Sequence, residues 1–73
     1  LTDEKENLAV RFLALDKLCQ CYPKIGDPAR GVEMCSAALT IEQHPRLLCD
    51  RADAYLDDNR FEEAIEDFQS ALN

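Results

Sequence analysis

The chain has 73 residues, enough for one small domain, and its formal net charge is −7. Phosphate backbones repel such a charge, which argues against nucleic-acid binding, and no apolar run approaches the roughly 20 residues that span a bilayer. A hydrophobic fraction of 47% with little glycine or proline favours a folded helical domain over disorder. No signal peptide is visible. Because the chain opens and stops within helical patterns, we expect it to be part of a longer protein.

The first predicted helix covers about residues 3–22. Asp3, with Glu6 three residues later, has the form of an N-terminal capping box. Apolar residues then recur at helical spacing up to Tyr22. Pro23 lacks a backbone donor and crowds the preceding turn, so we expect it to disturb the end of this helix.

The clearest break in the chain is Gly26-Asp27-Pro28. Gly26 suits the left-handed position that follows a helix. Asp27 suits an N-cap, and Pro28 suits the first helical position. A second helix is therefore predicted from Pro28 to about Ile41.

Two more helices follow. His44-Pro45 makes the next break, and the third helix is predicted from Pro45 to about Asp58. A polar turn ends at Asn59, and the fourth helix runs from about Arg60 to the end of the chain. Short links favour antiparallel packing of successive helices, and nowhere does apolar/polar alternation persist over a strand length.

An internal repeat is the strongest signal in the sequence. Small residues let helix axes approach closely, while large ones fill the grooves beside them. A shift of 33 residues superimposes small positions on small and large on large in most pairs. An unrelated four-helix bundle is the alternative, and the ordered matching argues against it. The matched pairs are Leu15/Leu48, Cys19/Ala52, Tyr22/Tyr55, Gly26/Asn59, Gly31/Ala64, Val32/Ile65, Cys35/Phe68, Ala38/Ala71 and Leu39/Leu72.

This pattern resembles the tetratricopeptide repeat (TPR), a two-helix unit of nominally 34 residues. The resemblance implies an all-α fold of tandem antiparallel helix hairpins, a fragment of an α-solenoid with about four helices. We predict an N-terminal extension at 1–11, repeat one at 12–44 and a truncated repeat two at 45–73. In repeat one Gly31 replaces the usual alanine and Pro28 the usual aromatic. The expected repeat-packing residues are Leu15, Leu18, Tyr22, Gly31, Val32, Ala38, Ala52, Tyr55, Phe61, Ala64, Ile65, Phe68 and Ala71.

A narrower resemblance lies in the segments 19–22, 35–36, 49–56 and 60–68. They are similar to the last TPRs of the DnaJ-type co-chaperones of the endoplasmic reticulum (ER), also described as cellular inhibitors of the double-stranded-RNA-activated kinase. In that family the repeats bind unfolded clients and precede a J domain that stimulates the lumenal Hsp70. His44-Pro45-Arg46 resembles the His-Pro-Asp loop of a J domain only superficially. We therefore expect client binding here, but no stimulation of an Hsp70 by this chain alone.

Cys19 and Cys35 stand at nearly equal height on the two helices of the first hairpin, so a disulfide is geometrically possible. The resemblance implies this bridge, because the lumenal family carries one in the same hairpin. The alternative is that all four cysteines are free and fill small core sites. A zinc site is disfavoured because Cys19 and Cys21 point apart on a helix and His44 lies in a linker.

The resemblance also implies a binding groove along the first helix of each repeat. Clamp-type TPRs hold carboxylate tails with Lys, Asn and Arg, whereas the matching positions here are Asp16, Gln20 and Asp50, which argues against a clamp. The groove is expected to accept extended or unfolded polypeptide; alternatively, its charges form an ordinary solvated face. Its expected residues are Leu13, Asp16, Lys17, Gln20, Lys24, Arg46, Cys49, Asp50, Asp53, Leu56 and Asp57.

The sequence thus predicts a protein-binding module, with no catalytic residues, metal site or cofactor. Its partners would be unfolded polypeptide clients and, through an absent J domain, Hsp70, in protein folding and the unfolded-protein response. A cytosolic TPR scaffold is the alternative. Self-association is a third possibility, because two repeats expose apolar ends that neighbouring repeats normally cover.

Overall fold

The computed structural model describes residues 4–73, with side chains from residue 7 onward. Its four helices are α1 (Glu4–Lys24), α2 (Pro28–Ile41), α3 (Pro45–Asp57) and α4 (Phe61–Leu72). Over residues 4–73 there is no strand. The all-α class with packed helix hairpins is therefore confirmed. The capping box expected at Asp3 and Glu6 lies outside the residues whose side chains are described.

Three predicted helix ends shift by one or two residues. α1 continues to Lys24, because the Ile25 N–H donates to the carbonyl oxygens of Cys21 (3.3 Å) and Tyr22 (3.2 Å) and so carries the ladder past Pro23. Pro23 therefore removes one donor without ending α1. The other two shifts are at α3, which ends at Asp57, and at α4, which begins at Phe61 with Arg60 as its N-cap.

The two hairpin turns close in the same way, one repeat apart. Gly26 (φ 88°) and Asn59 (φ 61°) both take the left-handed conformation that glycine and asparagine tolerate best. The Asp27 N–H donates to the Tyr22 carbonyl at 2.9 Å, and the Arg60 N–H donates to the Tyr55 carbonyl at 2.8 Å. Local sequence thus builds two equivalent turns at the predicted spacing.

Side-chain caps start the helices that follow two of the links. The Asp27 carboxylate accepts from the Arg30 N–H at 3.3 Å, as the N-cap prediction required. At the second break, His44 Nδ1 accepts from the Arg46 N–H at 3.2 Å, and Pro45 occupies the first position of α3. These caps fix where α2 and α3 begin.

The main core lies where α1, α2 and α3 meet. It is a cluster of fully or almost fully buried side chains, with Phe12, Leu15, Met34 and Leu48 packed against it. α2 contacts both α1 and α3, and α1 also contacts α3, so the first helices of the two hairpins lie side by side. Ala52, Ala54 and Ala64 are completely buried, which lets the helices approach closely. The central cluster is Cys19, Cys35, Ala38, Leu39 and Leu47.

Candidate protein-binding groove

A groove of about 300 Å³ runs between α1 and α3, the first helices of the two hairpins. Of its lining residues, Cys19 is the most buried, with 1% of its surface exposed. The exposed Lys24 lies on α1, and the exposed Asp53 lies on α3, on the other side of the groove. A mixed apolar and charged surface of this kind can contact an extended chain, but nothing in it is arranged for bond chemistry. The lining residues are Cys19, Gln20, Pro23, Lys24, Asp50 and Asp53.

Arg46 of α3 bonds to two carboxylates, Asp50 in the groove lining and Asp16 behind it. Its guanidinium donates to both oxygens of Asp16 on α1, at 2.9 and 2.8 Å, and to Asp50 at 3.1 Å. Gln20 donates to Asp16 at 3.1 Å. Because the Asp16 side chain is only 9% exposed, this two-pronged bond is partly shielded from water and holds α1 against α3.

The same contacts perturb the ionisation of the three groups. The hydrogen bond from Arg46 lowers the pKa of Asp16, and the reciprocal bond raises the pKa of Arg46. Burial raises the pKa of Asp50, against the opposing influence of Arg46. Arg46 is thus committed to two carboxylates of its own chain, which leaves no free arginine here to grip a partner's carboxylate tail.

Away from the groove, a second arginine links three helices to one another. Arg51 of α3 donates to both oxygens of Asp67 on α4, each at 2.7 Å, and to Ser36 on α2 at 3.0 Å. The bond to Asp67 raises the pKa of Arg51. This network was not predicted from the sequence. The sequence does contain an indication of this ion pair. Arg51 and Asp67 lie eight residues before and after Asn59, so they stand at equal height in the second hairpin, as the cysteine pair does in the first.

Cys19 and Cys35 form the disulfide that the sequence analysis favoured. Their Cα atoms are 4.8 Å apart and both residues are buried in the main core. Of the other cysteines, Cys21 is exposed and Cys49 half-buried, and both are free. The alternative of four free core cysteines is therefore wrong.

The predicted groove residues fall into three groups. Gln20, Lys24, Asp50 and Asp53 line the groove itself, while Cys19 and Pro23 were missed. Asp16 is buried and held by Arg46, so it supports the groove from within. The remaining residues lie outside its lining: Leu13, Lys17, Arg46, Leu56 and Asp57 are exposed, and Cys49 is half-buried.

The predicted packing residues fall into exposed, buried and half-buried groups. Leu18, Phe61 and Ile65 are exposed rather than packed, because they lie on the outer faces of α1 and α4, where no further helix of residues 4–73 covers them. The core residues Leu47 and Ala54 were missed. Gly31, Val32, Ala38, Ala52 and Ala64 are buried, and Leu15, Tyr22, Tyr55, Phe68 and Ala71 are half-buried.

Neither a metal-binding group nor a membrane-spanning helix is found among the described residues. No group of three His, Cys, Asp or Glu side chains is placed to hold a metal ion. No helix among residues 4–73 is both long and apolar enough to cross a bilayer.

Two packed antiparallel hairpins with equivalent turns and small buried residues at their contacts define a tandem helix-hairpin protein, an arrangement that fits the TPR. The chain is 35% identical over 57 residues, 77% of its length, to the DnaJ homolog subfamily C member 3 of Bos taurus and to that of Homo sapiens. The Gallus gallus protein of the same name is 34% identical over 59 residues.

The matched region is a small part of those proteins. The chain spans about 11% of the length of the cattle and human relatives. No protein-family model matches the chain, and no solved structure matches it. The similarity therefore relates this chain to a short region of those proteins and leaves the activity of the whole protein to proposal.

Proposed function

We propose that the chain is a client-binding module of a DnaJ-type co-chaperone in the ER lumen. The observation that carries this is the open groove between α1 and α3, lined by groups that can contact an extended polypeptide and by none arranged for catalysis. The similarity to DnaJ homolog subfamily C member 3 supports the co-chaperone role. Work with Hsp70 in protein folding and the unfolded-protein response would require a J domain outside these 73 residues.

The disulfide supports the compartment. Cys19–Cys35 is buried in the core, and structural disulfides of this kind persist in oxidising compartments such as the ER lumen. The alternative, a cytosolic scaffold module, would keep both thiols reduced. Mass spectrometry of the non-reduced chain, purified from cells with thiols blocked at lysis, distinguishes the two, because only the lumenal protein carries the bridge.

The groove's chemistry favours clients with apolar and basic groups. Cys19 and Pro23 lie among its lining, and Asp50 and Asp53 supply two negative charges from α3 against the single positive charge of Lys24 on α1. Arg46 compensates Asp50, but Asp53 has no ion-pair partner within 4.0 Å among the described residues. A basic side chain of an extended client can therefore approach Asp53 while a neighbouring apolar side chain contacts the groove.

Binding of a permanently unfolded polypeptide tests the proposal. A small globular protein, reduced, alkylated and fluorescently labelled, should bind the chain in an anisotropy titration. Asp53→Trp fills the groove with a large side chain and should weaken that binding at least about tenfold, or roughly 1.4 kcal/mol. Unlabelled basic apolar peptides should compete better than acidic peptides of the same length.

A matched variant controls for the added tryptophan. Glu33→Trp places the same side chain at an exposed position of α2, which is not part of the groove. It should leave the affinity unchanged. Equal losses in the two variants, or no binding by the unaltered chain, would refute a client site in this groove.

A further inference from the structure

The groove lining contains three charged residues, and one of them, Asp50, is already paired within the chain. Arg46 donates to Asp50 at 3.1 Å, one turn away on α3. Asp53 and Lys24 are exposed and have no ion-pair partner within 4.0 Å among the described residues. An extended client in the groove therefore meets one free negative charge on α3 and one free positive charge on α1.

Arg46 is held beside Asp50 by a contact behind the groove. Its guanidinium donates to both oxygens of Asp16 on α1, and the Asp16 side chain is almost buried. A planar guanidinium that binds both oxygens of one carboxylate has a fixed direction. Arg46 is therefore kept next to Asp50 instead of turning out to solvent, and Asp50 stays neutralised while α1 and α3 are packed together.

Asp50 and Asp53 have the spacing that a pair of basic client residues would need. Residues three apart on a helix are neighbours, with about 5–6 Å between their Cβ atoms. In an extended chain, side chains two residues apart point the same way and lie about 6.5 Å apart. Two free carboxylates at this spacing would accept a Lys-x-Lys segment, in which one residue separates the lysines. With Arg46 bound to Asp50, the groove has a free carboxylate for only one of them.

We propose that Arg46 makes the groove selective for extended clients with an isolated basic residue, because it occupies the carboxylate that would bind a second one. The isolated basic residue pairs with Asp53. Lys24 on the opposite wall acts in the same direction, since it repels a second basic side chain and attracts an acidic one. This inference rests on the client binding proposed above and specifies which polypeptides the groove prefers.

Anisotropy titrations with two labelled peptides test this selectivity. The peptides are identical apolar segments except for a central Lys-Ser-Gln in one and Lys-Ser-Lys in the other. The unaltered chain should bind both with affinities within about twofold of each other. The variant Arg46→Met, Asp16→Asn frees Asp50, leaves no unpaired carboxylate behind the groove and keeps the formal net charge at −7. It should prefer Lys-Ser-Lys by roughly fivefold, the upper range for one ion pair open to water.

A charge-matched variant excludes a general effect of losing an arginine. Arg60→Met, Glu63→Gln removes an ion pair outside the groove lining and also keeps the formal net charge at −7. It should bind the two peptides as the unaltered chain does. Adding Asp50→Asn to the Arg46→Met, Asp16→Asn chain should abolish the preference for Lys-Ser-Lys, because that preference depends on the freed carboxylate. Circular dichroism should show the same helix content in every chain that is compared.

Two single variants test the same idea while Arg46 remains bonded to Asp16. Asp53→Asn should weaken the binding of both peptides by roughly fivefold, whereas Asp50→Asn should leave the ratio of the two affinities unchanged. A preference for Lys-Ser-Lys that is present in the unaltered chain and lost in Asp50→Asn would overturn the proposal. An equal gain in the charge-matched variant, or no gain in the folded Arg46→Met, Asp16→Asn chain, would overturn it too. Failure of the unaltered chain to bind either peptide would instead refute the client site itself.

Discussion

Pro23 on α1 occupies the space that a side chain at Gly31 on α2 would need. A Cβ on Gly31 would lie 2.7 Å from Cγ and 2.8 Å from Cδ of Pro23, closer than carbon atoms of neighbouring side chains approach. Gly31 is fully buried in α2 and has an ordinary negative φ, so it is there for close approach and not for backbone freedom. The Pro23 ring fills the space that a side chain on Gly31 would occupy, so α1 packs closely against α2. This holds although proline in α1 and glycine in α2 are both unfavourable for a helix.

Gly31→Ala should therefore destabilise the chain, although alanine favours helix by about 1 kcal/mol over glycine. Overpacking costs about 1–3 kcal/mol, so the net loss of unfolding free energy should be about 1 kcal/mol. In a Pro23→Ala background the clash is gone, and the same substitution should become stabilising. Urea denaturation of the four chains measures this coupling. A loss of equal size in both backgrounds would mean that Pro23 is not the obstacle.

Gly31 also shows how far the sequence can be read. Its departure from the usual alanine is visible from the repeat, but the reason lies eight residues earlier on another helix. Local features were predictable, because capping residues and left-handed turn residues act within a few positions, as at Asp27, Gly26 and Asn59. The disulfide followed from equal height in a hairpin together with the resemblance.

Features that depend on neighbours beyond one hairpin were harder to predict. Leu18 and Ile65 repeat at packing spacing, yet whether an apolar stripe is covered depends on what lies next to it, which spacing alone does not tell. The bonds from Arg51 to Asp67 and from Arg46 to Asp16 were missed. In a sequence, charged residues are expected to face solvent, and only the packing of the helices shows which of them meet. Of the six residues that line the groove, four were named from the sequence, and Cys19 and Pro23 were not.

Asp67→Asn should weaken the junction of α2, α3 and α4. Asp67 is 6% exposed and receives two short bonds from Arg51, and a hydrogen bond to a charged group contributes about 1.5–3 kcal/mol. We expect a loss near 2 kcal/mol, or a fall of about 8–16 °C in Tm for a domain of this size. Thermal unfolding by circular dichroism gives the value.

A more exposed pair at the start of the same helix provides the control. Arg60 donates to Glu63 at 2.9 Å, but the two side chains are 47% and 41% exposed. Glu63→Gln should hardly change Tm, since exposed pairs contribute little. If it lowers Tm as far as Asp67→Asn does, general loss of negative charge from α4 would explain both results better than the buried bond.

Removing the Cys19–Cys35 bridge should lower stability more than any single surface change. The bridge closes a loop over a sequence separation of 16 residues, for which loss of unfolded-chain entropy stabilises by about 3 kcal/mol. A Cys19→Ala, Cys35→Ala chain should lose at least about that much, because both sites are buried. Reductant should lower the Tm of the unaltered chain and leave the Tm of the variant unchanged. Cys21→Ser, Cys49→Ser should keep the response to reductant, and its loss there would mean that the bridge involves a different pair.

The dependence of unfolding free energy on pH in the acid range should reveal the opposite environments of Asp16 and Asp50. The hydrogen bond from Arg46 lowers the pKa of Asp16 below its ordinary 3.8. A lowered folded-state pKa means that this group's contribution is complete above the unfolded value and is lost as the pH falls through the folded one. Burial raises the pKa of Asp50 above the same ordinary value. Its contribution is therefore present at low pH and lost as the pH rises through the folded value.

The two amide variants should consequently shift stability in opposite directions near neutrality. At about pH 7, Asp16→Asn should lower Tm because it removes a favourable charge, and Asp50→Asn should raise it because it removes an unfavourable one. At about pH 3 both differences should shrink, as the unaltered carboxylates take up protons in one state or the other. Thermal unfolding of the three chains across this range is the measurement. Shifts of the same sign at neutral pH would mean that Arg46 serves the two carboxylates alike, and that burial does not set them apart.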